Sequence, residues 1–159
     1  MKTAVVYYSM SGNTQKTAEQ IARRLQADLV PLNPVKAYPD KGIRKFFFGG
    51  KSAMMQETPA LQPYAFDAAR YDRVLLGSPV WAGNVAPPLR TFLKENRDAL
   101  RGKRFAAFVC QGGSGAEKAL NKIKEALDGA GLDAALTLND PVPDPEKEKQ
   151  IAAFCDALA

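Results

Sequence analysis

Short runs that are apolar throughout alternate along this chain with longer stretches whose apolar residues recur at helical spacing, and that alternation leaves few ways to fold. Residues 3–8 form a run rich in β-formers, and residues 14–27 then switch to a period that puts Ala18, Ile21, Ala22 and Leu25 on one face. Leu29, Val30, Pro31 and Leu32 make a second short strand, and Arg73-Val74-Leu75-Leu76-Gly77 a third. Pro87 and Pro88 stand where a helix begins, ahead of Leu89, Phe92, Leu93 and Leu100. Residues 104–111 read as the fourth strand. Ser114 with Glu117 three residues on matches a capping box for a helix carrying Ala119, Leu120, Ile123 and Leu127, which Gly129 and Gly131 stop. Residues 132–138 are the fifth strand, and a last helix is expected from Asp144 as N-cap with Pro145 at its first position, burying Ile151, Phe154, Cys155 and Leu158.

Strands that are apolar on both faces need helices on both sides, so the pattern predicts a doubly wound α/β fold with a five-stranded parallel sheet. The 159 residues are enough for one core and one domain, residues 1–159. In such a sheet a ligand lies outside the carboxyl ends of the strands, at the topological switch point. The loops after strands one, three and four are therefore the places where function is expected.

The chain contains no histidine. That removes Ser-His-Asp hydrolysis, Cys-His nucleophilic catalysis and histidine-ligated zinc or haem together. Cys110 and Cys155 have neither C-x-x-C spacing nor a ligand cluster and read as reduced structural thiols. No apolar run approaches the 18 or so residues of a membrane span. Met1-Lys2-Thr3 leads straight into the first strand without a secretory apolar region, so a cytoplasmic location is expected.

After strand one, Ser9-Met10-Ser11-Gly12-Asn13-Thr14 brings three hydroxyls, an amide and a glycine to a helix start. Unpaired backbone N–H groups and the helix dipole favour an anion there, and short hydroxyl side chains complete a phosphate cradle. The same residues also suit a plain N-cap and polar turn. The loop is neither a Walker P-loop nor a Gly-x-Gly-x-x-Gly turn, and it lacks a nucleophilic cysteine, so any phosphate held there is bound rather than transferred. After strand three, the uncharged loop Gly77-Ser78-Pro79-Val80-Trp81-Ala82-Gly83-Asn84 holds the sole tryptophan, which in a ligand-facing loop suits a planar aromatic partner and otherwise packs on the following helix. After strand four, Gln111-Gly112-Gly113-Ser114-Gly115 lets backbone approach the edge of a flat ligand, or serves as an ordinary flexible cap.

One loop suited to a phosphate monoester and two suited to a flat heterocycle, all at one sheet edge, describe a mononucleotide with a large ring. On these motifs the chain resembles the flavodoxins, in particular short flavodoxin-like proteins that bind FMN, over essentially its whole length. The resemblance implies a sheet of order 2-1-3-4-5. It also implies a phosphate held by Ser9, Ser11, Gly12, Asn13 and Thr14, an isoalloxazine against Pro79, Val80, Trp81, Ala82 and Gly83, and contacts from Gln111, Gly112, Gly113, Ser114 and Gly115 to its pyrimidine side. In flavodoxins a peptide of the loop after strand three turns over on reduction, and Gly83 is placed to permit this. No side chain need act as acid or base, because the flavin carries the redox chemistry. The family implies an electron carrier between proteins, and the alternative is an FMN-dependent NAD(P)H oxidoreductase acting on a quinone or similar small acceptor.

The chain departs from the best-known flavodoxins in charge. Its net charge is +5, with a pI near 9.2. In residues 33–64, Lys36, Lys41, Arg44, Lys45 and Lys51 face only Asp40 and Glu57, so this extended segment carries a net +3. A redox partner with an acidic docking face is expected. Residues 41–51 read either as the second crossover helix, packing Ile43, Phe47 and Met54 on the sheet, or as a partner or substrate face. Nucleic acid is not expected, since no recognition helix or single-strand stacking fold accompanies the basic residues. The three candidate loops contain no Asp or Glu, so little like-charge repulsion and a less negative couple than in acidic flavodoxins are expected.

Overall fold

The computed structural model describes residues 1–38, 57–140 and 144–159. In chain order these form β1 (Thr3–Tyr7), α1 (Asn13–Leu25), β2 (Asp28–Pro31), a 3-10 turn (Ala68–Arg70), β3 (Arg73–Trp81), β4 (Asn84–Val85), α2 (Pro87–Glu95), β5 (Arg104–Gln111), α3 (Ala116–Ala126), β6 (Ala135–Asn139) and α4 (Asp144–Leu158). The sheet order is β2-β1-β3-β5-β6, all parallel, with β4 pairing antiparallel to the end of β3. Leaving aside the added β4, this is the expected 2-1-3-4-5 arrangement, and both flanks of the sheet are covered.

Successive residues of each central strand feed opposite cores, as a pleated strand buried on both faces requires. Ala4, Val6, Val74, Leu76, Phe105 and Ala107 join Leu89, Phe92, Ala119 and Ile123 on the α2/α3 side. Val5, Leu75, Ala106 and Phe108 join Ala18, Ile21, Ile151 and Phe154 on the α1/α4 side. Gly77 is opposite Phe108 in the β3–β5 register, and a Cβ at Gly77 would occupy the space of the Phe108 ring. Arg73 is buried, donating to the Leu158 carbonyl at 2.6 Å and so tying the end of α4 to the start of β3.

Several local expectations are corrected. The capping box at Ser114 and Glu117 does not form, because Gly115 is the N-cap of α3 in a left-handed conformation (φ 100), which leaves Ser114 one residue too early. The Ala116 N–H is instead capped by Gln111 Oε1 at 2.9 Å. Trp81 is not in a loop: β3 continues past Gly77, and Trp81 is its last residue, paired with Asn84 across a hairpin. The fifth parallel strand starts at Ala135 rather than at 132, after the Asp133 N–H bonds the Phe105 carbonyl at 2.7 Å. Asp144, expected as an N-cap, is the first residue of α4. The proposed crossover helix with Ile43, Phe47 and Met54 lies outside the described residues. Among the described residues no helix is long and apolar enough to cross a membrane, and no group of three His, Cys, Asp or Glu could hold a metal.

Candidate functional site

At the carboxyl edge of the sheet, three connections enclose a cleft of about 420 Å³. The β1–α1 loop contributes Met10, Ser11, Asn13 and Thr14; the β3–β4 hairpin contributes Pro79, Val80, Trp81 and Ala82; the end of β5 contributes Cys110 and Gly112; and Asp140 closes it after β6. Its size falls within the range of small-molecule sites. Thus Ser11, Asn13, Thr14, Pro79, Val80, Trp81, Ala82 and Gly112 are brought together in one cavity.

The other expected residues surround it. Ser9 Oγ accepts the Gly12 N–H at 3.1 Å, folding the loop back on itself. Gly12 is the N-cap of α1 at φ 98, where a Cβ would meet nothing within 4 Å. Having no side chain, Gly12 leaves the helix start uncapped, and no acidic residue occupies the first turn. The Gln111 side chain is engaged in structure, capping α3 and donating to Asn139 Oδ1. Gly113 and Ser114 are exposed beyond Gly112.

The hairpin is a two-residue turn with left-handed backbone at both Ala82 (φ 51) and Gly83 (φ 71). That is the arrangement matching strand twist in tight hairpins. Buried Ser78 accepts the Ala86 N–H at 2.8 Å and anchors the hairpin base. Gly115 lies against the turn so closely that a Cβ there would sit 2.8 Å from Gly83 Cα. The third loop therefore uses a glycine to seat the second loop, in addition to approaching a ligand through Gly112.

Sequence reasoning did not single out Met10, Tyr8, Tyr38, Cys110 or Asp140 as contributors. Tyr8, Tyr38 and Trp81 form an edge-to-face cluster, with centroid separations of 5.8 Å (Tyr8–Trp81), 5.5 Å (Tyr38–Trp81) and 6.3 Å (Tyr8–Tyr38). Burial raises the Tyr8 phenol pKa well above its ordinary value, keeping it neutral. Cys110 lies under the cleft, its thiol pKa pushed up by burial despite hydrogen bonding to Thr14 and Thr17, so it is a packed thiol rather than a nucleophile. Asp140 brings a carboxylate to the cleft from outside the three loops, which themselves hold no Asp or Glu. Burial raises its pKa, while Lys147 and a hydrogen bond with Asn13 pull the other way. The signal was available: Asp140 follows the fifth parallel strand at the same carboxyl edge, beyond the three loops singled out.

A second cleft, of about 530 Å³, lies at the opposite, amino edge among Arg97, Leu100, Arg101, Lys103, Phe105 and Leu127. Though larger, it is the poorer candidate. Arg97 pairs with Asp128, Arg101 with Asp98 at 3.3 Å, and Lys103 donates to the Tyr71 carbonyl at 2.8 Å, so its cations are already engaged. Doubly wound sheets place ligands at the other edge.

A family profile described as Flavodoxin matches residues 2–153. A flavoprotein from Lactobacillus acidophilus NCFM, solved in complex with FMN, is similar at 25% identity with a TM-score of 0.74, covering 94% of this chain and 97% of that one. The apo-form of the flavoprotein from the same organism, solved by NMR, has 25% identity and a TM-score of 0.63, covering 87% of this chain and 93% of that one. A flavodoxin from the domain Archaea shares the fold at 20% identity and a TM-score of 0.61, covering 99% of this chain and 96% of that one. The profile match spans both core faces and every loop of the cleft, and on it the chain belongs to the flavodoxin family.

Proposed function

We propose that this chain is a cytoplasmic FMN-binding electron carrier. The observation that carries the reading is the presence, in one cleft, of a start of α1 with no side-chain cap and no acidic residue in its own first turn, and a wall headed by Trp81. The residues present fit FMN. Space is open above Gly12, the first-turn N–H groups and the hydroxyls of Ser11 and Thr14 suit a phosphate, and Pro79, Val80, Trp81 and Ala82 supply an apolar wall for a flat ring. When bound, FMN supplies the one- and two-electron redox chemistry.

The chain's own residues bind and orient. Ser9 and Gly12 shape the cradle that Ser11, Asn13 and Thr14 line. Gly83 and Gly115 hold the ring wall in place, Gln111 fixes the start of α3, and Gly112, with Gly113 and Ser114 at the open rim, offers backbone to the ring edge. The net +5 charge favours a protein partner with an acidic docking face.

An anaerobic reductive titration of the FMN-loaded protein tests the carrier reading. Reduction by dithionite in resolvable one-electron steps, with negligible direct reduction by NADH or NADPH, is expected. Rapid bleaching by either nicotinamide without a protein partner would make the chain an NAD(P)H-dependent reductase instead.

A further inference from the structure

Arg90 is taken up by no part of the cradle or wall, yet it bonds the hairpin that carries the wall. It lies half-buried on α2, next to Thr91, at the point where the chain returns from the long basic segment. That return is tied down firmly. The Val35 N–H donates to the Ala60 carbonyl at 2.9 Å, the Gln62 N–H to the Asn33 carbonyl at 2.8 Å, and Thr91 Oγ1 to the Pro59 carbonyl at 2.7 Å. The guanidinium of Arg90 divides between this strand of chain and the hairpin. Nη1 donates to the Glu57 carbonyl at 3.3 Å and Nη2 to Asn84 Oδ1 at 2.7 Å. Asn84 is itself buried, accepts the Val85 N–H on the same Oδ1 at 3.0 Å, and pairs with Trp81 across the hairpin. Tyr38, which packs on Trp81, is within electrostatic reach of Arg90.

We infer that Arg90 is a positioning residue for the ring wall: its planar fork fixes the Asn84 side of the Trp81 hairpin to the returning chain at Glu57. A fork is what this geometry needs, because two acceptors in different directions are held by two nitrogens of one rigid group. A lysine keeps the charge but concentrates it on one atom. The inference rests on the proposed FMN site, and it makes a distinction within that site, since Arg90 bonds Asn84 of the hairpin that carries the wall and none of the phosphate cradle.

The test compares FMN and riboflavin binding to wild-type apo-protein, Arg90→Lys and Arg90→Met, with Thr14→Ala as the cradle reference, and records Trp81 emission and anisotropy of each apo-protein. Both Arg90 variants should lose about tenfold in affinity, by the same factor for FMN and riboflavin, the scale of losing hydrogen bonds from a charged donor. Both should also shift Trp81 emission without any flavin present, whereas Thr14→Ala should weaken FMN alone. If Arg90→Met fails to fold, Arg90→Lys carries the test. Wild-type affinities and an unshifted Trp81 signal in Arg90→Lys would overturn the inference, since charge without the fork would then suffice. A loss confined to FMN would also overturn it, by making Arg90 a phosphate contact. If wild-type protein bound neither flavin, the functional reading would fail, and the Trp81 signal of the apo variants would still decide whether Arg90 positions the hairpin.

Discussion

Gly115→Ala should damage this protein far more than the same change two or three residues earlier, at Gly113 or Gly112. Gly115 sits at φ 100, where a residue with a Cβ costs about 1 kcal/mol or more. The new methyl would also stand 2.8 Å from Gly83 Cα, 3.1 Å from Gly83 N and 3.2 Å from Val80 Cγ1. The nearest two atoms are backbone, so no flexible side-chain end can swing aside, and overpacking of this kind adds about 1–3 kcal/mol. The sum is about 2–4 kcal/mol, a large part of the ~5–15 kcal/mol that holds a domain folded. For a chain of this size each kcal/mol moves the melting midpoint by about 2–4 °C. Relief by outward movement of the hairpin would transfer part of the cost to flavin affinity, because Trp81 and Ala82 would move with it. Urea unfolding of the apo-protein and FMN titration together capture both routes. At Gly113 a Cβ meets nothing within 4 Å, so Gly113→Ala is the control and should stay within about 0.5 kcal/mol of wild type. If Gly115→Ala unfolded at the midpoint of Gly113→Ala and bound FMN like wild type, the seating of one loop on the other would be wrong.

Thr14→Ala removes a buried hydroxyl of the cradle and should weaken FMN by about 0.5–3 kcal/mol while leaving riboflavin nearly unchanged, as paired fluorescence titrations would show. Burial raises Asp140 above its ordinary 3.8, so its favourable contribution is full below the unfolded pKa and lost as pH rises through the folded one. Asp140→Asn should therefore raise the melting midpoint at neutral pH, and the gain should vanish below about pH 4; an equal gain at both pH values would contradict the assignment. Gly83→Val forces a branched residue into φ 71 at a cost of about 1–2 kcal/mol, and about 40 mV per kcal/mol should appear in a one-electron potential if the redox states use the turn differently. Unchanged potentials with FMN still bound would remove this turn from any redox role.

What could be read from the sequence was whatever rests on periodicity. The five parallel strands, the helix faces of Ile21, Phe92, Ile123 and Ile151, and the prolines opening α2 follow from spacing, because burial on a sheet demands it. Contacts between loops distant in sequence could not be read in this way. Gly115 looked like a ligand-facing or capping glycine, but its missing Cβ is used by Gly83, 32 positions away in the chain. Ser114 and Glu117 matched a capping pattern that failed because Gly115 took the left-handed position and Gln111 reached Ala116 first. Tyr38 gives no local sign of meeting Trp81, and Asp140 reaches the cleft from the end of β6, beyond the three loops at the switch point.

The central claim is that one cleft binds a flavin by its phosphate as well as by its ring. Titrating apo-protein with FMN and with riboflavin, while following the fluorescence of Trp81, the chain's sole tryptophan, tests it most directly. The account predicts stoichiometric quenching of Trp81 by FMN and much weaker binding of riboflavin. Equal affinities would show that the start of α1 is no phosphate site, and FMN binding without quenching would show that the ring does not lie against Trp81.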